Sequence, residues 1–124
     1  MLPHPPTITP KELKSLIDKK EKYLLIDVRE HKELQNGMIL TAHHIPLGRV
    51  EKALDLQPST FAATLGFPKM NNNDHIIFYC RTGSRSAVAT TIALSKGYPN
   101  AKNLAGGIWD WSTIDPNVHR YDSF

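Results

Sequence analysis

Tyr23-Leu24-Leu25-Ile26 is an unbroken apolar run. No polar residue alternates through it, so the strand it predicts has to be covered on both faces, as in a parallel sheet. Ile76-Ile77-Phe78-Tyr79 is a second such run and the clearest strand in the chain. Helical signals lie between and around these runs. Thr9-Pro10-Lys11-Glu12 reads as a helix start, with Thr9 as cap, Pro10 in the first helical position and Glu12 completing a capping box. Leu13, Leu16 and Ile17 give that helix one apolar face. Residues 30–35 are helix-compatible and stop at Asn36-Gly37, and residues 39–45 are expected to hold another short strand closed by Pro46. Residues 50–54 and 59–65 read as short helices, the second ended by Gly66 and Pro68. Asn71-Asn72-Asn73-Asp74 is a turn by composition. Residues 87–95 are predicted helical, with Val88 and Ile92 four apart and Gly97 as the stop. Residues 101–104 form the last predicted strand, after which Gly106-Gly107 turns the chain into a short segment carrying Trp109 and Trp111. Strands alternating with helices imply an α/β fold, a parallel sheet flanked by helices on both faces.

The chain has 124 residues, room for one domain that buries an ordinary core without staples. Pro3, Pro5 and Pro6 mark residues 1–7 as an extended N-terminal arm, the domain is expected over residues 8–112, and residues 113–124 are a C-terminal tail. One cysteine excludes an internal disulfide, a four-cysteine zinc site and a CxxC redox pair, and suits a reducing compartment. The formal net charge of +3 is too small and too dispersed for a nucleic-acid footprint. No apolar run approaches the roughly 20 residues of a membrane-spanning helix, and the first residues lack the features of a signal or transit peptide. The expected location is cytoplasmic, or mitochondrial where a presequence has been removed. A monomer is expected, and no cofactor or metal.

The chemistry concentrates in Cys80-Arg81-Thr82-Gly83-Ser84-Arg85-Ser86, directly after the second apolar run. Ligands of open α/β sheets bind at the carboxyl ends of the strands, where Cys80 falls. A loop closing between strand and helix turns backbone N–H groups inward as an anion nest, and the helix N-terminus adds partial positive charge. Gly83 permits the backbone angles of a tight curl, and Arg81 and Arg85 add two permanent cations. Each of these favours thiolate over thiol. Thr82 and Ser84 complete the loop as candidate anion ligands, while Ser86 is expected to support the helix start.

Loop length narrows the reaction. Cysteine-dependent phosphatases place five residues between cysteine and arginine, whereas four separate Cys80 from Arg85, and Tyr79 stands where those enzymes usually have histidine. The smaller ring suits one sulfur atom above the thiolate better than a tetrahedral phosphate. Asp27-Val28-Arg29, His44-Ile45-Pro46, the loop at residues 80–86, and Gly106-Gly107 with Trp109 and Trp111 together resemble the single-domain rhodaneses, which are thiosulfate sulfurtransferases. The resemblance runs from about Ile8 to Trp111. It implies a five-stranded parallel sheet and a persulfide carried on Cys80. Sulfur would come from thiosulfate or another small anionic donor and pass to an external thiol or cyanide. The amides of residues 81–85 would hold the anionic sulfur, and Arg81 and Arg85 the donor. Where the family often reads Gly-His-Ile-Pro-Gly-Ala, this chain has His43-His44-Ile45-Pro46-Leu47-Gly48, which alters a turn beside the sheet. A phosphatase or arsenate reductase on the same scaffold, and a non-catalytic interaction module, are the alternatives.

Asp27 and Arg29 are assigned supporting roles, with a buried pair between them favoured over a place on the pocket rim. His43 and His44 should point to opposite faces of a strand. His31 and His75 have no partner at ligand spacing and are expected on the surface. At least one of Trp109 and Trp111 is expected in the core.

Overall fold

The structure, a computed structural model, describes residues 4–118. Five parallel strands form one sheet: β1 (Thr7–Ile8), β2 (Leu24–Asp27), β3 (His43–His44), β4 (Ile76–Tyr79) and β5 (Lys102–Leu104), in the order β1-β5-β4-β2-β3. The helices are α1 (Pro10–Asp18), α2 (Leu47–Asp55), α3 (Pro58–Leu65), α4 (Ser84–Ser95) and α5 (Gly107–Trp111), with a 3₁₀ helix at His31–Asn36. β4 is central, paired with β2 over four residues on one side and with β5 on the other.

Alternation along β4 explains its unbroken apolar character. Ile76, Phe78 and Cys80 face a core shared with Val50 and Ala53 of α2, Phe61 of α3, and Ala89 and Ala93 of α4. Ile77 and Tyr79 face the opposite core, with Leu13 of α1 and Ile108 and Trp111 of α5. With both faces covered, neither parity tolerates a solvated polar side chain.

Thr9 caps α1 through the predicted capping box: the Glu12 amide donates to its hydroxyl at 3.1 Å, and the Glu12 carboxylate accepts the Thr9 amide at 2.9 Å. Several expected boundaries move. Thr7, assigned to the arm, pairs with Asn103 in β1, and the Asn103 amide donates to the Pro6 carbonyl at 2.9 Å. Only His43 and His44 of residues 39–45 form a strand, because a turn with Thr41 at φ 82° precedes them. α4 begins at Ser84 rather than near residue 87. Its buried face is Ser86, Ala89, Thr90 and Ala93, with Val88 half-exposed. Small side chains on that face let the helix lie close to the sheet. Of the expected tail, Ile114 and Val118 pack on the second core, while residues 119–124 lie outside the described residues. The altered turn after His44 closes by continuing the sheet pattern: the Ile45 amide donates to the Asp27 carbonyl and the Leu47 amide to the Val28 carbonyl, both at 3.0 Å. No helix among the described residues is long and apolar enough to cross a membrane.

Candidate active site

Cys80 is the first residue after β4, and Gly83, at φ 114°, curls the chain into α4. Within that curl the Gly83 amide donates to Sγ at 3.1 Å and the Ser86 hydroxyl lies 3.3 Å from it. The amides of Ser86 and Arg85 are also aimed at the sulfur. The residue is only 1% exposed, and burial is the largest single influence on the thiol, pushing its pKa up. The Ser86 hydroxyl and the amides of Ser86, Gly83 and Arg85 outweigh it together and hold the thiol below its ordinary range. Cys80 is therefore both part of the core wall and the focus of converging donors.

The hydroxyl of Ser86 has one proton and two acceptors. It lies 2.6 Å from Asn103 Oδ1, and Asn103 Nδ2 donates to the Gly83 carbonyl at 3.1 Å. Asn103 of β5 thus ties the loop's glycine to the residue that faces the sulfur. On the other side α5 grips the loop backbone: the Ile108 amide donates to the Cys80 carbonyl and the Trp109 amide to the Arg81 carbonyl, both at 2.9 Å. Carbonyl and N–H of a peptide unit point opposite ways, so this grip turns the amides of Arg81 and Thr82 away from α5. Contact is close enough to require glycine at 107, since a Cβ there would stand 2.4 Å from the Arg81 carbonyl oxygen.

The predicted site residues divide into those at the sulfur and those around it. Gly83, Arg85 and Ser86 reach Sγ through backbone amides, so Ser86 joins the residues 81–85 expected to hold the anionic sulfur. Thr82 and Ser84 are exposed, and the serine that meets the sulfur is Ser86, not Ser84. One turn of α4 decides this, because the helix starts earlier than expected and turns Ser86 inward. Arg81 lies with its guanidinium 5.1 Å from the Trp109 ring centroid. Arg85 is held by a carboxylate from outside the loop: its two terminal nitrogens contact Glu33 Oε1 and Oε2 at 2.6 and 2.9 Å. Asp27 and Arg29 form the expected buried pair, with Arg29 Nη2 at 2.7 Å from Asp27 Oδ2 and both residues fully buried. Arg29 also donates to the Gly37 carbonyl at 2.7 Å, fastening the segment that carries Glu33.

Asp27 faces Tyr79 rather than the cup. Burial, then the Asp27 carboxylate, pushes the Tyr79 phenol far above its usual range. His43 stacks on Phe67 with centroids 4.0 Å apart, while the His44 ring meets the Arg29 carbonyl at 2.7 Å, so the two do face apart. His31 and His75 are exposed, and Trp111 is the core tryptophan, with Nε1 donating to Asp115 at 2.7 Å. Glu33 and Asn103 escape sequence reasoning. Glu33 is hidden in the charged stretch Glu30-His31-Lys32-Glu33, and Asn103 in a short strand whose one signal is the Gly106-Gly107 pair after it.

A cysteine sulfur met by converging amides at the carboxyl edge of a parallel sheet has the arrangement of an anion-handling cysteine site. Residues 9–114 match the family model described as a rhodanese-like domain, and the chain belongs to that family. It is 37% identical over 107 residues to a human thiosulfate:glutathione sulfurtransferase, covering 86% of this chain and 92% of the relative. A mitochondrial thiosulfate sulfurtransferase of Saccharomyces cerevisiae, RDL2, is 35% identical over 91 residues, 73% of this chain and 61% of that protein's own length. The fold superposes on the human single-domain sulfurtransferase TSTD1 with a TM-score of 0.84 at 36% identity, covering 89% of this chain and 97% of that one. The sulfurtransferase reading of the four-residue loop stands over the phosphatase one.

Proposed function

We propose that this chain moves sulfane sulfur from thiosulfate or a related small anionic donor to an external thiol, such as glutathione, or to cyanide, through a Cys80 persulfide. The observation that carries this reading is the convergence on Sγ of the Gly83, Arg85 and Ser86 amides and the Ser86 hydroxyl, with four residues between Cys80 and Arg85. The Cys80 thiolate attacks the outer sulfur of thiosulfate, the S–S bond to the sulfonate breaks, and sulfite leaves with the bonding pair. The persulfide anion so formed lies against the same donors that held the thiolate. An acceptor thiolate then attacks its terminal sulfur, forming a free persulfide and restoring the Cys80 thiolate. With one cysteine in the chain, the acceptor has to come from outside.

Arg81 and Thr82 line the mouth of the loop in this reading, and Arg85 orients the donor from a position fixed by Glu33. The enzyme acts as a monomer in a reducing compartment, the cytosol or a mitochondrion. Sulfite release from thiosulfate in the presence of glutathione is the direct assay. Cys80→Ser is expected to abolish it while the circular-dichroism spectrum and unfolding midpoint stay close to the parent's. Retained sulfite release in that variant overturns the proposal.

A further inference from the structure

We propose that Asn103 is a positioning residue for Cys80: it holds the Ser86 hydroxyl proton while Sγ is uncharged and yields it to Sγ when the thiolate forms; its part in turnover rests on the sulfur transfer proposed above. Asn103 lies in β5, outside the loop, and is 7% exposed, while Ser86 is fully buried. The Gly83 carbonyl can only accept, so the Asn103 atom that meets it at 3.1 Å is the amide nitrogen. Oδ1, which carries no proton, is then the atom 2.6 Å from the Ser86 hydroxyl oxygen. Two oxygens that close need a proton between them, and Ser86 has to supply it.

With its proton on Asn103, the hydroxyl has none left for Sγ, 3.3 Å away. A neutral Cys80 instead donates its S–H to Ser86 Oγ, completing a chain from sulfur to hydroxyl to Asn103. A thiolate in the same place would face a hydroxyl lone pair, so its formation turns the O–H from Asn103 toward Sγ. The Ser86 bond to sulfur therefore replaces the Ser86 bond to Asn103, and only the difference between them stabilises the thiolate. In turnover the negative charge moves to the outer sulfur as the persulfide forms, and the O–H turns back to Asn103. It returns to Sγ when the acceptor removes the outer sulfur and restores the Cys80 thiolate. The charged side chains of the loop, Arg81 and Arg85, lie against Trp109 and Glu33. Tyr79, with Asp27 beside it, occupies the other face of the sheet.

The test is a double-mutant cycle of Asn103→Leu and Ser86→Ala, read as the midpoint of the iodoacetamide pH profile of Cys80. Neither substitution alters a charge, so the surrounding ionised groups are common to all four proteins. Asn103→Leu removes the competing acceptor and should lower the midpoint by about 0.5–1 unit more in the parent than in the Ser86→Ala background, where no hydroxyl remains to redirect. Loss of the Asn103 bond to Gly83 is shared by both backgrounds and cancels. An equal change in both backgrounds, or a larger fall in Ser86→Ala, overturns the proposal. If Asn103→Leu does not fold, the NMR shift of the Asn103 side-chain carbonyl carbon reads the same proton in the parent and in Ser86→Ala. It should move as Cys80 ionises in the parent and markedly less in Ser86→Ala; equal movement in the two, or none in the parent, overturns the proposal. A cycle of the expected sign in a protein that releases no sulfite from thiosulfate overturns the sulfur-transfer reading instead and leaves the place of the proton standing.

Discussion

Cys80 is subject to two opposed influences, burial that favours the thiol and four hydrogen-bond donors that favour the thiolate. Ser86 supplies the largest of the lowering contributions through its side chain. Ser86→Ala should therefore move the midpoint of the iodoacetamide pH profile upward and slow alkylation at neutral pH by about ten-fold, the worth of one charge-assisted hydrogen bond. Rapid-mixing alkylation across pH measures this, and a profile identical to the parent's would remove the hydroxyl from the site. At this scale the sequence was readable where the chemistry is local. Cys80, Gly83 and Arg85 are set by their spacing within one loop. Ser84 and Ser86 were distinguishable only once the first turn of α4 was placed. Glu33 reaches Arg85 from 52 residues away, and Asn103 meets Ser86 from 17 away, distances that no local pattern encodes.

The elements around the loop act as clamps, and each clamp predicts a failure. α5 presents amides to the Cys80 and Arg81 carbonyls, and Gly107, at φ 60°, is where the two backbones touch. Gly107→Ala combines an unfavourable φ with a backbone clash and is expected to lower stability by at least about 2 kcal/mol in urea unfolding. Cys80 alkylation should slow in the same variant as the loop amides shift. On the other flank, Arg29→Ala strands the buried Asp27 carboxylate and should destabilise by about 3–5 kcal/mol, read by the same unfolding experiment. The Glu33–Arg85 pair adds a pH signature. Because the folded carboxyl lies below its ordinary value, its stabilisation is complete above the unfolded value of about 4.3 and is lost as pH falls through the lowered folded value. Urea unfolding from pH 7 to pH 3 should thus show a smaller acid loss in Glu33→Gln than in the parent. The long apolar strands β2 and β4 and the capped start of α1 were visible in sequence, since apolar runs and a capping box are local signals. β1 and β3, two residues each, were not fully visible, because they are strands only through pairing with β5 and β2.

For the whole molecule, the central position of β4 joins stability to function: the same alternation that buries Phe78 and Tyr79 in opposite cores delivers Cys80 to the sheet's carboxyl edge. The parallel α/β class followed from alternating elements, and the loop's place at that edge followed from the class. The five-strand order, the packing of residues 114 and 118 on the second core, and the convergence of β5, α5 and the 3₁₀ helix on one loop depend on long-range pairing. That convergence fixes the loop whose donors hold the Cys80 thiol below its ordinary range, which favours the sulfur transfer proposed above. The most direct measurement is the intact mass of the protein after brief incubation with thiosulfate and removal of excess reagent. A gain of one sulfur atom is expected, absent in Cys80→Ser and reversed by cyanide. An unchanged mass in the parent, or the same gain in Cys80→Ser, would contradict the proposed transfer.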